Sequence, residues 1–383
     1  MQSVPPAPPR SIYPRHVPDD LVLMIIKACN DLAGARTSTL ASLCRLSKGY
    51  RALAEALLYS HVHLCAYGGV RPGTALHTLL WYPRLRAAVT SVKLSLDDLA
   101  LVKEPAIALL LGDLNNVESV EAYYPEFALR KLLSSPSVRV RLFKTWAWTN
   151  ELAALTWAHP AAFSTLERLE VNHVLDAGVI GPRPFSSRFS LVVDDDLHAS
   201  FFAPLTAPFA ADLVSLRLPL WHDLARLNLG MFGRLGHLAF AVGLLRGAAS
   251  YTSIFQAAVV ALAMAHTLPS LKSFAISGTL LVMDPTRATI IDRFLPLRRH
   301  QVPPTSRDLL YAIPRQIQHL ALVTNAFHPS DVVAYLLSPY RAPFLKTLRV
   351  GDEVGRGLGE VLRDNAGVSA ALDSAGIEVT TVE

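Results

Sequence analysis

Leu345-Lys-Thr-Leu348-Arg-Val350 is one copy of an apolar pattern that recurs along most of this chain. Apolar residues two positions apart lie on the same side of a β-strand, so Leu348 and Val350 predict a strand with one buried face. The same pattern predicts strands at residues 89–94, 117–122, 166–171, 213–218, 235–240, 271–276 and 317–322, with a weaker one at 138–142.

Helical spacing of apolar residues occupies several stretches between these strands. Strand and helix that alternate at a rough period are typical of a solenoid, in which each unit buries its apolar face against its neighbours. The helical stretches are 75–81, 105–111, 126–133, 253–266 and 330–337.

The repeat length is irregular. The central apolar residues are 22 positions apart at Leu216 and Leu238 but 46 apart at Phe274 and Leu320, whereas regular leucine-rich repeats run about 20–29 residues. We therefore predict an α/β fold, an irregular leucine-rich-repeat-like solenoid over residues 66–383.

Three segments depart from the repeat pattern. The proline-rich stretches 176–208 and 284–313 are predicted to be insertions, and Gly355-Arg-Gly357-Leu-Gly359 is predicted to be a flexible connection after the last strand. The segment that follows residue 350 is comparatively polar, so we expect it to contribute little to the core.

The N-terminal part has a different character. Residues 1–16 contain five prolines and are predicted to be a disordered tail, in which Pro5-x-x-Pro8-x-Arg10 matches an SH3-ligand pattern that also arises by chance. Residues 17–65 are predicted to form three helices and a short strand at 61–65. The first helix begins at Pro18-Asp19-Asp20, because proline suits the first turn and acids suit the positive end of the helix dipole.

The composition excludes several classes of protein. The chain has 383 residues, 51% of them hydrophobic and 17% charged, with a net charge of +5, which is too apolar for a disordered chain. Its three cysteines form no paired motif, so we expect a reducing compartment, cytoplasmic or nuclear. There is no apolar run of membrane-spanning length and no secretory signal pattern, and we expect no membrane or nucleic-acid partner.

The first 65 residues resemble an F-box domain, with 17–65 as the F-box-like helical module. The resemblance rests on Val17-Pro18-x-Asp20-Leu21-Val22-x-x-Ile25-Ile26 and on Leu40-x-x-Leu43-x-x-Leu46-Ser47-Lys48-x-Tyr50-Arg51-x-Leu53. It is similar to the variant that precedes leucine-rich-repeat-like regions in large fungal families. The resemblance implies a Skp-family adaptor as partner, and through it a cullin ubiquitin ligase. The residues it implies for adaptor binding are Pro18, Leu21, Val22, Ile25, Leu43, Leu46 and Tyr50.

Elementary packing agrees with a partner at this end, because a short helical unit cannot bury all its apolar faces by itself. The alternative is that these helices only cap the N-terminal end of the solenoid.

No catalytic motif is visible. Phosphate-binding glycine loops, a G-x-S-x-G elbow and an H-E-x-x-H helix are all missing from the sequence. Asp194-Asp195-Asp196-x-His198 and the pair His61 and His63 are candidate metal ligands, but a solvated loop and a polar strand face explain them better. We expect a protein that is not an enzyme, with no cofactor and no metal.

The residues between the apolar positions of each strand are expected to line the concave sheet surface. This set comprises Lys93, Glu121, Tyr123, Arg168, Glu170, Arg217, His237, His319 and Arg349. From it we select Tyr123, Arg168 and Arg217 as substrate-binding residues, with Trp146 and Trp148 as anchors, since Tyr, Trp and Arg dominate binding hot spots.

Two alternatives to this site stay open. The two tryptophans follow Arg139, Arg141 and Lys144, and basic residues interleaved with aromatics also suit single-stranded nucleic acid, while the tryptophans could equally be core. The proline-rich insertions could carry binding instead, as loops often do. The sequence predicts a substrate receptor of a cullin-type ubiquitin ligase; the other hypothesis is a stand-alone scaffold solenoid.

Overall fold

A computed structural model describes most of the chain from residue 36 onward. The described residues are 36–46, 48–65, 74–95, 105–122, 126–174, 188–197, 199–219, 228–241, 265–277, 306–323, 327–364 and 366–382, together with Met24 and Leu262.

The described strands form one parallel sheet of twelve strands, in which the order across the sheet is the order along the chain. They are β1 His61–Cys65, β2 Ser91–Ser95, β3 Ser119–Ala122, β4 Leu142–Trp148, β5 Arg168–Val174, β6 Phe189–Leu197, β7 Leu213–Pro219, β8 His237–Ala241, β9 Ser273–Ser277, β10 His319–Val323, β11 Thr347–Gly351 and β12 Glu378–Val382. A parallel sheet in chain order is the arrangement of a solenoid, so the predicted α/β solenoid is confirmed.

Helices connect successive strands on one face of the sheet. They are α1 Arg36–Leu46, α2 Lys48–Leu58, α3 Ala75–Trp81, α4 Pro105–Gly112, α5 Glu126–Leu133, α6 Asn150–Ala158, α7 Ala199–Thr206, α8 Ser306–Tyr311, α9 Pro329–Leu337, α10 Asp352–Asp364 and α11 Ala366–Ser374. Among these described helices, none combines the length and the apolar character needed to cross a membrane.

The core lies between the sheet and the helices. In the strands from β1 to β11 the side chains that point to the helices are buried, and the register aligns them in continuous rows across the sheet. One such row runs through the strands from β1 to β11 as Val62, Val92, Val120, Phe143, Leu169, Leu191, Leu216, Leu238, Phe274, Leu320 and Leu348.

The sheet begins earlier than residue 66, because β1 pairs in parallel with β2. The helices α1 and α2 precede it and pack on each other. Their fully buried residues are Leu40 and Ala54, which form a cluster separate from the main core. The first predicted helix, around residues 18–26, lies outside the described residues apart from Met24, so the F-box module stays a prediction.

Two sequence expectations about the middle of the chain need correction. The supposed insertion 176–208 contains β6 and α7, so β6 is a regular member of the sheet with parallel partners on both sides. The fourth strand runs from Leu142 to Trp148 rather than over 138–142. Of the supposed insertion 284–313, α8 and the turn that follows it are described, and the rest lies outside the described residues.

The largest correction concerns the C-terminal end, where the expected flexible connection is the start of α10. The segment after β11 forms α10, α11 and β12, and β12 pairs with β11 along its whole length. Val354, Leu358, Leu372 and Ile377 from this segment are buried in the main core. The segment is therefore a packed part of the solenoid.

Two of its glycines are explained by close packing. A Cβ placed on Gly355 would collide with the side chain of Thr381 in β12, and one on Gly357 would lie 2.5 Å from Cγ of Pro329 at the start of α9. Gly359, in the same helix, has no neighbour within 4 Å of such a Cβ. Gly376 has a different role, because its φ of +64° lets α11 end directly before β12.

These contacts predict that glycine-to-alanine substitution lowers the free energy of unfolding at two positions of α10 and raises it at a third. Gly355→Ala and Gly357→Ala should each lower the free energy of unfolding by about 1–3 kcal/mol, because the added methyl overpacks the contact. Gly359→Ala should raise it by about 0.5–1 kcal/mol, because alanine is the better helix former. Denaturant melts of the three variants test this. Equal effects at all three positions would contradict the packing described for α10.

Candidate interaction face

The face of the sheet turned away from the helices is the candidate site. Its side chains alternate with the buried rows and are partly or fully exposed in most strands, so it forms a continuous surface that we call the exposed sheet face. Neighbouring side chains on this face are about 5 Å apart from strand to strand. This face includes His61 on β1 and His319 on β10.

From β2 to β5 the exposed sheet face is a ladder of opposite charges. Lys93 Nζ is 3.0 Å from Glu121 Oε1, and Lys144 Nζ is 3.7 Å from Glu170 Oε2. Arg168 Nε is 2.6 Å from Glu170 Oε1. Glu170 thus serves two cations, and the charges of this half are largely balanced within the sheet.

A second group of ion pairs involves the residues that directly precede β3, β4 and β5. Arg141 contacts Glu167 at 3.0 Å and Glu118 at 3.6 Å. The hydrogen bond that Arg141 donates to Glu167 raises the pKa of Arg141 and so favours its charged form. The surface around β3 to β5 therefore offers few charges that are not already compensated.

The predicted aromatic anchors separate in the structure. Trp146 lies on the exposed sheet face with 37% of its surface exposed, and its ring centroid is 5.0 Å from that of His173. Trp148 is only 1% exposed and belongs to the main core. The prediction of Trp148 as an anchor is wrong for this reason: near its end, β4 turns two consecutive side chains, Ala147 and Trp148, into the core.

From β7 to β11 the exposed sheet face changes character. These five strands contain no Asp or Glu. Their charged and imidazole side chains are Arg217, His237, His319 and Arg349, all exposed. At neutral pH the two arginines carry full positive charge, and the histidines add hydrogen-bonding ring nitrogens.

Small residues form the floor between these cations. Ala239, Ala275 and Ala321 are aligned across β8, β9 and β10 by the register. The same row continues to Arg217 on β7 and Arg349 on β11. Three adjacent alanines leave a shallow strip about 10 Å wide from β8 to β10, with an arginine on each side.

A neighbouring row lines the strip with polar groups. Ser215, His237, Ser273, His319 and Thr347 are aligned across the five strands. The imidazole Nδ1 of His319 lies 2.9 Å from the hydroxyl of Thr347. The strip therefore combines positive charge, hydrogen-bonding groups and room for a backbone to approach closely.

The structure places the other predicted residues as follows. Arg168 and Arg217 are both exposed on the sheet face. Arg168 lies among the paired charges of β2 to β5, whereas Arg217 lies on the strands β7 to β11, which contain no acid. Leu43 is half-buried beside Leu40 and Ala54, while Leu46 and Tyr50 lie in α1 and α2 with side chains that are not described. Outside the described residues are Tyr123, Pro18, Leu21, Val22 and Ile25.

Metal ligation finds no support among the described residues, which contain no group of three or more His, Cys, Asp or Glu placed to hold an ion. Of the candidate pair on β1, His63 lies 2.8 Å from the hydroxyl of Ser95. Burial lowers the pKa of His63, and nearby Lys93 lowers it further against the opposing effect of Glu121. Asp194, Asp195 and Asp196 lie in β6 with side chains that are not described.

Comparison with known proteins identifies no family. No family model matches the chain, and no curated protein gives a significant match. Among solved structures, the chain is similar to the leucine-rich repeat-containing protein LegL7 from Legionella pneumophila, at 15% identity and a TM-score of 0.46, over 84% of this chain and 90% of that one. The strand order and register define the fold independently of this distant similarity.

The charge ladder predicts which carboxylate matters for stability. The side chain of Glu170 is 14% exposed and contacts two cations, whereas that of Glu167 is 45% exposed. Glu170→Gln should lower the free energy of unfolding by about 1–2 kcal/mol, because it removes the negative charge that two cations contact at a poorly solvated site. Glu167→Gln should cost less than about 1 kcal/mol. Urea melts at low and high salt measure both, and an equal loss would refute the difference in environment.

Proposed function

We propose that this chain is a non-catalytic receptor that binds a target protein on the acid-free half of its exposed sheet face and an adaptor through its N-terminal helices. The acid-free half comprises the exposed side chains of β7 to β11. The observation that carries the proposal is the position of two arginines and two histidines around an alanine floor, with no acid on the same five strands.

Charge complementarity favours an acidic target. A surface of one sign attracts a partner of the opposite sign, speeds association and discriminates against cationic partners. The guanidinium of Arg349 makes no ion pair or hydrogen bond with another described side chain, so a carboxylate of the target would not have to displace an existing partner. The balanced ladder from β2 to β5 gives no comparable attraction.

The shape favours an extended segment. Side chains as small as Ala239, Ala275 and Ala321 let a peptide backbone lie close to the sheet, with its carboxylates reaching Arg217 or Arg349 on either side. Trp146 and Arg168 lie on the same face further along the sheet and would extend the contact for a larger target. Aromatic and arginine side chains are the groups that most often dominate binding energy.

The adaptor part of the proposal rests on the N-terminal helices and on their resemblance to an F-box. Around the buried pair Leu40 and Ala54, the side chains of Leu43, Cys44 and Leu57 are only partly buried. Apolar side chains that are left incompletely covered suit a partner helix. A Skp-family adaptor bound here would bring the target near a ubiquitin-conjugating enzyme, where transfer depends on effective concentration.

The other candidate function is a scaffold solenoid with no ligase link. It is favoured by contacts that join the N-terminal helices to the solenoid: Glu55 of α2 accepts from Arg84 at 3.2 Å, and Tyr59 packs against the main core. In this case α1 and α2 would act as an end cap. Adaptor binding discriminates between the two functions.

The adaptor test uses purified full-length chain and a Skp-family adaptor. We expect wild type to bind and the double variant Leu21→Asp, Leu46→Asp to lose binding, because two unpaired charges would be buried at the contact. Leu109→Asp is the control, since Leu109 is an exposed apolar residue of α4, remote from the N-terminal helices. If wild type does not bind, or if the double variant binds normally, the adaptor role fails and the scaffold function stands.

The target-face test uses a labelled synthetic peptide that alternates glutamate with threonine, and the same peptide with glutamine for glutamate. We expect the glutamate peptide to bind more tightly, with an affinity that falls as salt rises. The double variant Arg217→Ala, Arg349→Ala should lose about tenfold or more, since about 1.4 kcal/mol is a factor of ten. Fluorescence anisotropy measures each affinity.

Arg315→Ala is the matched control, because Arg315 is an exposed arginine in the turn between α8 and β10. Its removal changes the net charge without touching the acid-free half. Equal binding of the two peptides, or equal losses in the control and the double variant, would reject the acid-free half as a binding site.

A further inference from the structure

A groove lies between α5 and α6, on the helical side of the sheet and therefore on the side opposite the exposed sheet face. Its volume is about 460 Å³. One wall is formed by Phe127, Arg130, Lys131 and Ser134, whose spacing of i, i+3, i+4 and i+7 places them on one face of the helix and its last turn. The opposite wall consists of Ala154, Leu155, Ala158 and His159 from α6 and its C-terminal end.

The groove exists because α6 presents small residues there. Ala154 and Ala158 are one turn apart and exposed, so their methyl groups leave open the space that larger side chains would fill. Leu155, between them, is buried and forms an apolar floor. The start of α6 is capped, because the side chain of Thr149 accepts from the backbone N–H of Leu152, and this fixes where the helix begins.

The charge of the groove is positive and not compensated by its own lining. Arg130 and Lys131 line it, and no acidic residue does. Arg130 makes no ion pair with any described residue, and Lys131 Nζ is 5.3 Å from the ring centroid of Phe127. Burial, and then the nearby Arg130, lower the pKa of His159, so the positive charge comes from the arginine and the lysine.

The openness of the groove indicates the size of its ligand. Phe127 is 40% exposed, and Arg130, Ser134, Ala154 and Ala158 are exposed as well. Sites for small molecules bury about 70–90% of the ligand surface, and a small molecule here would stay largely in water. A peptide segment of a larger partner brings its own cover for the outer side.

We propose that the groove between α5 and α6 binds an acidic peptide segment of a second protein. Apolar side chains of the segment would fill the space over Ala154 and Ala158, and its carboxylates would pair with Arg130 and Lys131. Charged groups that meet at the edge of an apolar contact give specificity and faster association. The exposed ring of Phe127 would supply the aromatic part of the contact.

The experiment selects random peptides on the full-length chain and compares wild type with Ala158→Leu, which fills the groove without changing its charge. We expect one class of selected peptides to be lost on Ala158→Leu, and that class to be rich in Asp or Glu next to apolar residues. Representative peptides of the class should bind at least tenfold more weakly to the double variant Arg130→Gln, Lys131→Gln than to wild type. They should bind the control variant Arg315→Gln as tightly as wild type.

Three outcomes would overturn the proposal. They are that Ala158→Leu removes no class of peptides, that the class it removes is not acidic, or that neutralising Arg130 and Lys131 leaves affinity unchanged. Thermal melts show whether the variants stay folded, and Ala154→Leu provides a second way to fill the groove if Ala158→Leu does not fold. The double variant Arg217→Ala, Arg349→Ala should bind this class normally, so failure here is distinguishable from failure of the acid-free half.

Discussion

The parallel register of the twelve strands is the constraint on which the rest of this structure depends. A parallel sheet must cover its apolar side, and here the strands from β1 to β11 contribute buried residues to rows such as the one that contains Leu216, Leu238 and Phe274. Because the side chains alternate, the same register also aligns the exposed residues in rows. The position of every charge on the exposed sheet face is therefore a consequence of core packing.

This alignment explains why one fold carries two different surfaces. From β2 to β5 the aligned positions hold residues of opposite charge. The ion pair of Lys93 with Glu121 links β2 to β3, and that of Lys144 with Glu170 links β4 to β5. From β7 to β11 the corresponding positions hold alanines between two arginines, which contribute little to one another. A strip of small residues with a cation on either side suits the backbone and carboxylates of an acidic partner, and this is the physical basis of the proposed target site.

On the helical side, small residues decide what approaches. Gly355 and Gly357 let α10 lie against β12 and α9, where any side chain would collide. Ala154 and Ala158 act differently, because no other element of the described chain fills the space above them, and a groove remains. Small residues thus allow close packing around α10 and leave an open groove between α5 and α6.

The sequence by itself determined the strands whose apolar residues alternate, such as Leu213–Pro219 and Thr347–Gly351, and hence an α/β solenoid with Lys93, Arg168 and Arg217 facing solvent. Alternation is a local property, so it can be read without knowing any partner. It did not identify β6, although Phe189, Leu191 and Val193 alternate there, because the prolines around this strand favoured an insertion. It did not identify β12 because the threonines of that strand give it no clear apolar alternation. Only the tertiary structure decided that Trp148 is core, that Glu170 serves two cations and that α5 and α6 enclose a groove. Each of these depends on which distant residues meet, and the spacing of residues along one segment carries no record of that.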